Sequence, residues 1–183
     1  MTLNNWFEKG MKPKDYIDSM QVHKENLQMV YEGFNIPEGD RSLWNSVAER
    51  GLRVIVLTED WCGDAMVNVP ILMKIAEAAD IEMSLLSRDQ NLELMDQYLT
   101  NGTSRAIPIF IFINAAGEEE AVWGPRAPKV QEFVDQVRAD MPDKEAPDFK
   151  EKQQKMIQTL TNKYTADRSV WETVYESIKE KIK

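Results

Sequence analysis

The order of apolar segments in this chain predicts an α/β protein, a mixed central sheet flanked by helices in three layers, with further helices added before and after it. Three observations carry the prediction. Leu52–Leu57, Ile81–Leu86 and Ile109–Ile113 are short, β-branched apolar runs of strand length. The segments between and around them repeat their apolar residues at three and four, the spacing of helices. In the middle of the chain these signals alternate as strand, helix, strand, helix, strand, strand, helix.

Taken in order, Ile17, Met20, Leu27, Val30 and Phe34 predict a helix from Pro13 to about Tyr31, with Gly33 beyond its end and a turn over Pro37–Asp40. Leu43, Trp44, Val47 and Ala48 make a second helix, stopped by Gly51 ahead of the first strand. A third begins just after Cys62, carries Val67, Ile71, Leu72 and Ile75, and contains Pro70, which is expected to kink it. After the second strand, Leu92, Met95 and Leu99 give a short helix closed by Asn101 and Gly102. Ile109–Ile113 and Glu119–Trp123, joined by the turn Asn114–Gly117, read as a hairpin, and Val130, Phe133, Val134 and Val137 as the clearest amphipathic helix.

The charged segment Pro142–Pro147 is the best linker candidate. Beyond it two helices carry Phe149, Met156, Ile157 and Leu160, then Trp171, Val174, Tyr175, Ile178 and Ile182. Their apolar stripe requires a partner, either the core or a second subunit. The expected organisation is therefore an N-terminal helical extension packed on the core (1–51), an α/β core (52–141) and a C-terminal helical extension (142–183).

The 183 residues carry a net charge of −9 without a cluster of Lys and Arg, which argues against nucleic acid as partner. Met1–Gly10 lacks a signal-peptide pattern and the longest apolar run, Ala106–Ile113, is too short to cross a bilayer, so the expectation is a soluble cytoplasmic protein without membrane contact. One cysteine and one histidine cannot furnish a four-ligand zinc site, and no cofactor or metal is expected. His23 has no ligand-spaced partner, and Glu118, Glu119 and Glu120 read as a solvated hairpin.

Chemistry is concentrated at Cys62, the sole thiol, in the segment Thr58-Glu59-Asp60-Trp61-Cys62-Gly63-Asp64-Ala65 where a strand ends and a helix begins. No intrachain disulfide is possible, so any thiol redox chemistry needs a second molecule's sulfur. A lone cysteine is commonly a small buried hydrophobe. At a strand-to-helix junction beside Gly63, however, Cys62 is expected to be solvent-accessible. Unpaired N–H groups and the helix macrodipole favour a thiolate by ~0.3–1 kcal/mol. A carboxylate at ~6 Å opposes it by ~0.7–3 kcal/mol, and Glu59, Asp60 and Asp64 are all near, so a thiol close to the ordinary ~8.5 or only mildly lowered is expected. Asp64 has two readings: it accepts a backbone N–H in the first helical turn, or it carries a proton to and from the sulfur.

Trp61, Cys62 and Gly63, then Pro70, Ile107-Pro108 and Gly124 after the last strand, together resemble the thioredoxin-like family over roughly residues 52–140. Trp61-Cys62-Gly63-Asp64 and Trp123-Gly124-Pro125-Arg126 look closest to uncharacterised bacterial thioredoxin-like proteins with added helices. The resemblance implies a thioredoxin fold, Cys62 as attacking sulfur, and Pro108, cis, facing it across a groove. It also implies that the backbone of Ile107 pairs with an extended substrate segment in a groove lined by Gly63 and Gly124, with Trp61 and Trp123 either walling that groove or serving as ordinary core aromatics. Three family positions depart from the pattern: Ala65 stands for the resolving thiol, Asp64 for a proline, and Val56 for the buried acid. Dithiol reductase activity is thus not implied.

Two functions from different classes follow. One is a monothiol protein in which Cys62 exchanges with protein disulfides or a low-molecular-weight thiol and an external thiol resolves the intermediate. The other is a non-catalytic binding module that uses the groove near Pro108 to hold a partner peptide.

Overall fold

The computed structural model describes residues 1–183. Its centre is a four-stranded sheet in the order β2-β1-β3-β4, formed by β1 (Arg53–Thr58), β2 (Glu82–Ser87), β3 (Ile109–Ile113) and β4 (Glu119–Trp123). β1 pairs parallel with β2 and antiparallel with β3, and β3 pairs antiparallel with β4 across a register shift at Phe112/Ile113. Period-two alternation sorts the strand residues onto two faces. Val54 and Val56 share a face with Phe110, Phe112 and Trp123, while Ile55 and Leu57 share the other with Ile109 and Ile111.

On the first of these faces lies α5 (Gly63–Ala78), a helix with buried residues all round, from Ala65 through Ala76. It runs unbroken through Pro70, which forgoes one backbone hydrogen bond. A helix apolar on every side must be covered on every side. The cover comes from α3 (Lys24–Gly33), α4 (Arg41–Ala48), α8 (Phe149–Ala166) and α9 (Arg168–Ile182), all of which pack on α5. α7 (Pro128–Ala139) packs against α8 and α9, and the short α6 (Leu92–Met95) follows β2. The opposite face takes α1 (Leu3–Lys9), whose Trp6 and Phe7 are buried against β1 and β2. Ser84 Oγ donates to the Phe7 carbonyl there.

The N-terminal third differs from the sequence expectation. A helix, α1, precedes Pro13 and was invisible to periodicity because only two adjacent residues are buried; a reciprocal Thr2–Asn5 cap starts it. The single helix expected from Pro13 to Tyr31 is two, α2 (Pro13–Ser19) and α3, separated at Met20–His23. The reason is tertiary: the N–H groups of Gln21 and Val22 leave the helical ladder and donate to Asp60 Oδ2 at 2.8 and 3.2 Å, and His23 takes a left-handed φ of 58° to restart the chain. Gly33 is the last residue of α3, not a residue beyond it.

The C-terminal helices pack back onto the core, and one buried apolar cluster draws on 1–51, 52–141 and 142–183 alike. α9 buries Val170, Trp171, Val174, Tyr175, Ile178 and Ile182. Polar contacts clasp it to the N-terminal region: Trp44 Nε1 donates to the Tyr175 hydroxyl at 3.0 Å, and that hydroxyl and Lys179 Nζ both donate to Asp40. No helix is long and apolar enough to cross a membrane.

The donors Tyr175 and Lys179 hold the Asp40 carboxyl below its ordinary range, and Lys163 with Ser169 holds Asp167 down to about 2. Folded-state values below the unfolded ones mean stabilisation that is complete above the ordinary ~3.9 and is lost as pH falls through the folded values. Acidification from pH 5 to pH 2 is therefore expected to weaken the attachment of α9, seen as a change in Trp44 and Trp171 fluorescence. Asp40→Asn should lower stability at pH 7 by about 1 kcal/mol and flatten this acid dependence, measured by urea unfolding at both pH values.

Candidate functional site

β1 ends at Thr58, and the next four residues turn the chain into α5 with Cys62 as its N-cap. Every side chain of this turn is held. Glu59 accepts from Ser87 Oγ at 2.6 Å and from the Asp89 N–H at 2.9 Å. Asp60 accepts the two N–H groups of the α2–α3 break. Thr58 Oγ1 shares a hydrogen bond with the Tyr16 hydroxyl, 3.3 Å away. Two of the three carboxylates expected to face the thiol are thus turned to neighbouring loops.

Cys62 itself is buried, 8 % exposed, which corrects the expectation of an accessible thiol. Its Sγ accepts the Ala65 N–H at 3.4 Å, in the manner of an N-cap oxygen, and donates to the Ile107 carbonyl at 3.4 Å. Burial pushes the thiol up to about 11. The Asp64 carboxylate adds to the rise, while the Ala65 and Asp64 N–H groups and Arg126 oppose it without prevailing. The expectation of a near-ordinary thiol is corrected for the same reason: desolvation outweighs the helix terminus.

Asp64 does not cap the helix. Its Oδ1 accepts from Arg126 Nε and from the Tyr164 hydroxyl, each at 2.7 Å, and its Oδ2 from Arg126 Nη2 at 2.5 Å. Arg126 also donates to Gln131 Oε1 at 2.8 Å. Neither partner was predicted as a site residue. Arg126 stood out only as part of the Trp-Gly-Pro-Arg segment, and nothing local to Tyr164, 100 residues from Asp64, signals the contact.

Across the turn, Ile107 and Pro108 are buried, joined by a cis peptide bond, and a second cis bond joins Gly124 to Pro125. Gly124 passes so close to Pro108 that an added Cβ would lie 2.2 Å from its carbonyl oxygen, and its φ of 128° is open to glycine alone. Asn68, 1 % exposed on α5, donates to the Pro125 carbonyl at 3.0 Å, and its Oδ1 has no partner.

The predicted groove residues therefore divide. Trp61 is 48 % exposed beside the thiol, under the Arg88 guanidinium at 5.0 Å, and Gly63 borders open space. Trp123 is instead a core residue, 3 % exposed, stacked on Phe110 at 5.0 Å, with Nε1 donating to Ser177 of α9. Its place on the helix-covered sheet face removes it from the groove. Val56 lies fully buried on that same face, where a carboxylate would stand alone in apolar surroundings. No group of three His, Cys, Asp or Glu side chains converges as a metal site would require.

A parallel pair β1–β2, an antiparallel hairpin β3–β4 and a cysteine capping the helix after β1, facing a residue that precedes a proline, define a thioredoxin-fold protein. The family model described as Thioredoxin matches residues 10–138, and the chain belongs to that family. That span begins upstream of the 52–140 resemblance and takes in α2 to α4, of which α3 and α4 pack on α5 while the α2–α3 break donates to Asp60. A protein of unknown function from Pseudomonas aeruginosa has a similar structure, with a TM-score of 0.61, 16 % identity, and coverage of 91 % of this chain and 96 % of its own. An HIV epitope-scaffold is similar over 96 % of this chain and 99 % of its own, with a TM-score of 0.61 and 14 % identity. At such identities the likeness is one of fold, extended over nearly the whole chain. No curated protein matches in sequence.

At pH 7 a thiol at about 11 is ionised at ~10⁻⁴, against ~3 × 10⁻² for an ordinary one; greater intrinsic nucleophilicity returns about tenfold of this. Labelling of the native protein by an aromatic disulfide reagent is accordingly expected to run at least about 20-fold slower than that of a free thiol, and to become rapid in denaturant. Fast native labelling at pH 7 would show that Cys62 is neither covered nor raised.

Proposed function

We propose that the protein acts as a monothiol in thiol–disulfide exchange, with Cys62 as the attacking sulfur and an external thiol as resolving partner. The observation that carries this reading is the position of Sγ: it caps α5 at the Ala65 N–H and touches the carbonyl of the residue preceding Pro108. A thiolate formed there keeps the helix N-terminus on it. It attacks one sulfur of a protein disulfide or of a low-molecular-weight disulfide, forming a mixed disulfide and expelling the other sulfur as a thiolate that takes up a proton. A second external thiol then attacks the mixed disulfide, carries the substrate sulfur away as a new disulfide and restores Cys62. The protein undergoes no net oxidation, which suits a chain with one cysteine.

Substrate contact has to uncover the sulfur before it reacts. Half-exposed Trp61 and the open side of Gly63 are the surface a substrate meets first. Ile107, Pro108 and Gly124 supply backbone rather than side chains to the groove. Asp64, with both oxygens occupied, influences the sulfur by its charge rather than by carrying a proton. One observation favours the rival reading of a binding module: a buried thiol at about 11 is poorly suited to attack unaided. In that case the groove near Pro108 holds a partner peptide and Cys62 is packing.

Incubation of native protein with an oxidised low-molecular-weight thiol at pH 8.5, followed by intact mass, separates the two. Exchange yields one adduct per chain that reduced thiol removes, with turnover absent from Cys62→Ser. Absence of any adduct supports the module. Introducing the missing sulfur tests the geometry directly. Ala65, 2 % exposed, has its N–H on Sγ, so Ala65→Cys should close a disulfide with Cys62 under mild oxidation and leave no free thiol. Slow dithiol reductase activity with dithiothreitol should follow, limited by Val56, which offers no acid to handle the new thiol's proton. Two independently labelled thiols after oxidation would refute the pairing.

A further inference from the structure

Asp64 is the carboxylate on the thiol's own helical turn, and its charge opposes the thiolate. It is also the most restrained acid of the turn. All three of its hydrogen bonds arrive from outside α5: two from Arg126 in the β4–α7 turn and one from Tyr164 of α8. The pair is largely shielded, with the Arg126 and Asp64 side chains 11 % and 14 % exposed. Tyr164 is the buried residue of α8, and its own carbonyl accepts Trp171 Nε1 of α9 at 2.7 Å, so the phenol is fixed by both C-terminal helices.

We propose that Arg126 and Tyr164 are positioning residues for Cys62: they hold the Asp64 carboxylate on the guanidinium and so let the C-terminal helices set the reactivity of the thiol. The proposal rests on reading Cys62 as the reacting atom, yet it concerns the ionisation of that atom and not any particular substrate. The guanidinium of a bidentate pair offsets part of the carboxylate's effect on the sulfur, whereas a carboxylate released from either donor is freer to turn and acts with less compensation. Arg126 supplies the compensating charge and Tyr164 the orientation.

Other charged and titratable groups near the sulfur are otherwise engaged. Glu59 and Asp60 of the β1–α5 turn accept from Ser87 and Asp89 and from Gln21 and Val22, respectively. Tyr16 of α2 meets Thr58, and burial pushes its phenol up to about 12, so it stays neutral wherever the thiol is probed below that. Arg88 lies over Trp61 and donates to Asp89 and to the Arg105 carbonyl. Asp64, Arg126 and Tyr164, with Gln131 behind the guanidinium and Asp135 behind Gln131, form a connected unit that a single substitution can unbalance.

A purely structural clasp and a positioning role differ in what they do to the pH profile of iodoacetamide alkylation of the folded protein. Tyr164→Phe is expected to slow alkylation about threefold at pH 9, with the midpoint of the profile moved up by about half a pH unit. Arg126→Gln should slow it about tenfold or more, and Arg126→Lys should recover most of the rate. In an Asp64→Asn background, which alone should speed alkylation, Tyr164→Phe should have no further effect, because its influence runs through the carboxylate. A simple clasp gives the opposite signature: loosened α8 exposes the sulfur, so alkylation rises at every pH and the midpoint falls as desolvation is relieved. That result, an unchanged profile, or an equal Tyr164→Phe effect with and without Asp64 would overturn the proposal. If Arg126→Gln does not fold, the Tyr164→Phe and Arg126→Lys comparisons decide it alone.

Discussion

Helix α5 has no face that water would accept. Eleven of its sixteen residues are buried, so a sheet on one side leaves most of its circumference bare. Four other helices supply the rest, two from each end of the chain. This requirement explains why the terminal segments belong to one apolar cluster with the core.

The same burial governs the chemistry. The N-cap of a helix so deeply set lies beneath the surface, and desolvation of the Cys62 thiol outweighs the backbone donors that would ionise it. The helix terminus and the nearby carboxylates are visible in the sequence, but the larger effect, burial, belongs to the assembled molecule. Carboxylate repulsion is also smaller than proximity in sequence suggests: Glu59 and Asp60 each turn one oxygen to neighbouring loops, and Asp64 is the acid that raises the thiol.

The misread helix between Pro13 and Tyr31 has a related cause. Its apolar residues do repeat at helical spacing, and local propensity offers nothing against continuity. Asp60, 38 residues beyond Val22, draws two backbone N–H groups out of the ladder, and the helix divides where the β1–α5 turn needs donors. Of the two readings open for Trp123, the structure takes the core one. Its neighbours in the Trp-Gly-Pro-Arg segment do reach the site, but alternation along β4 turns its ring to the other side, onto Phe110 and Ser177.

By itself the sequence determined the strands nearly to the residue, the helix after Cys62, the two C-terminal helices, and a single sulfur at a strand-to-helix junction. These features rest on periodicity, on chain-local turn residues and on counting, all of which survive without knowledge of distant contacts. Only the tertiary structure decided how exposed that sulfur is, which way Asp64 turns, and that Arg126 and Tyr164 meet it from 62 and 100 residues away. Ionisation and side-chain direction depend on what lies within a few ångströms, and those neighbours come from parts of the chain that no local pattern brings together.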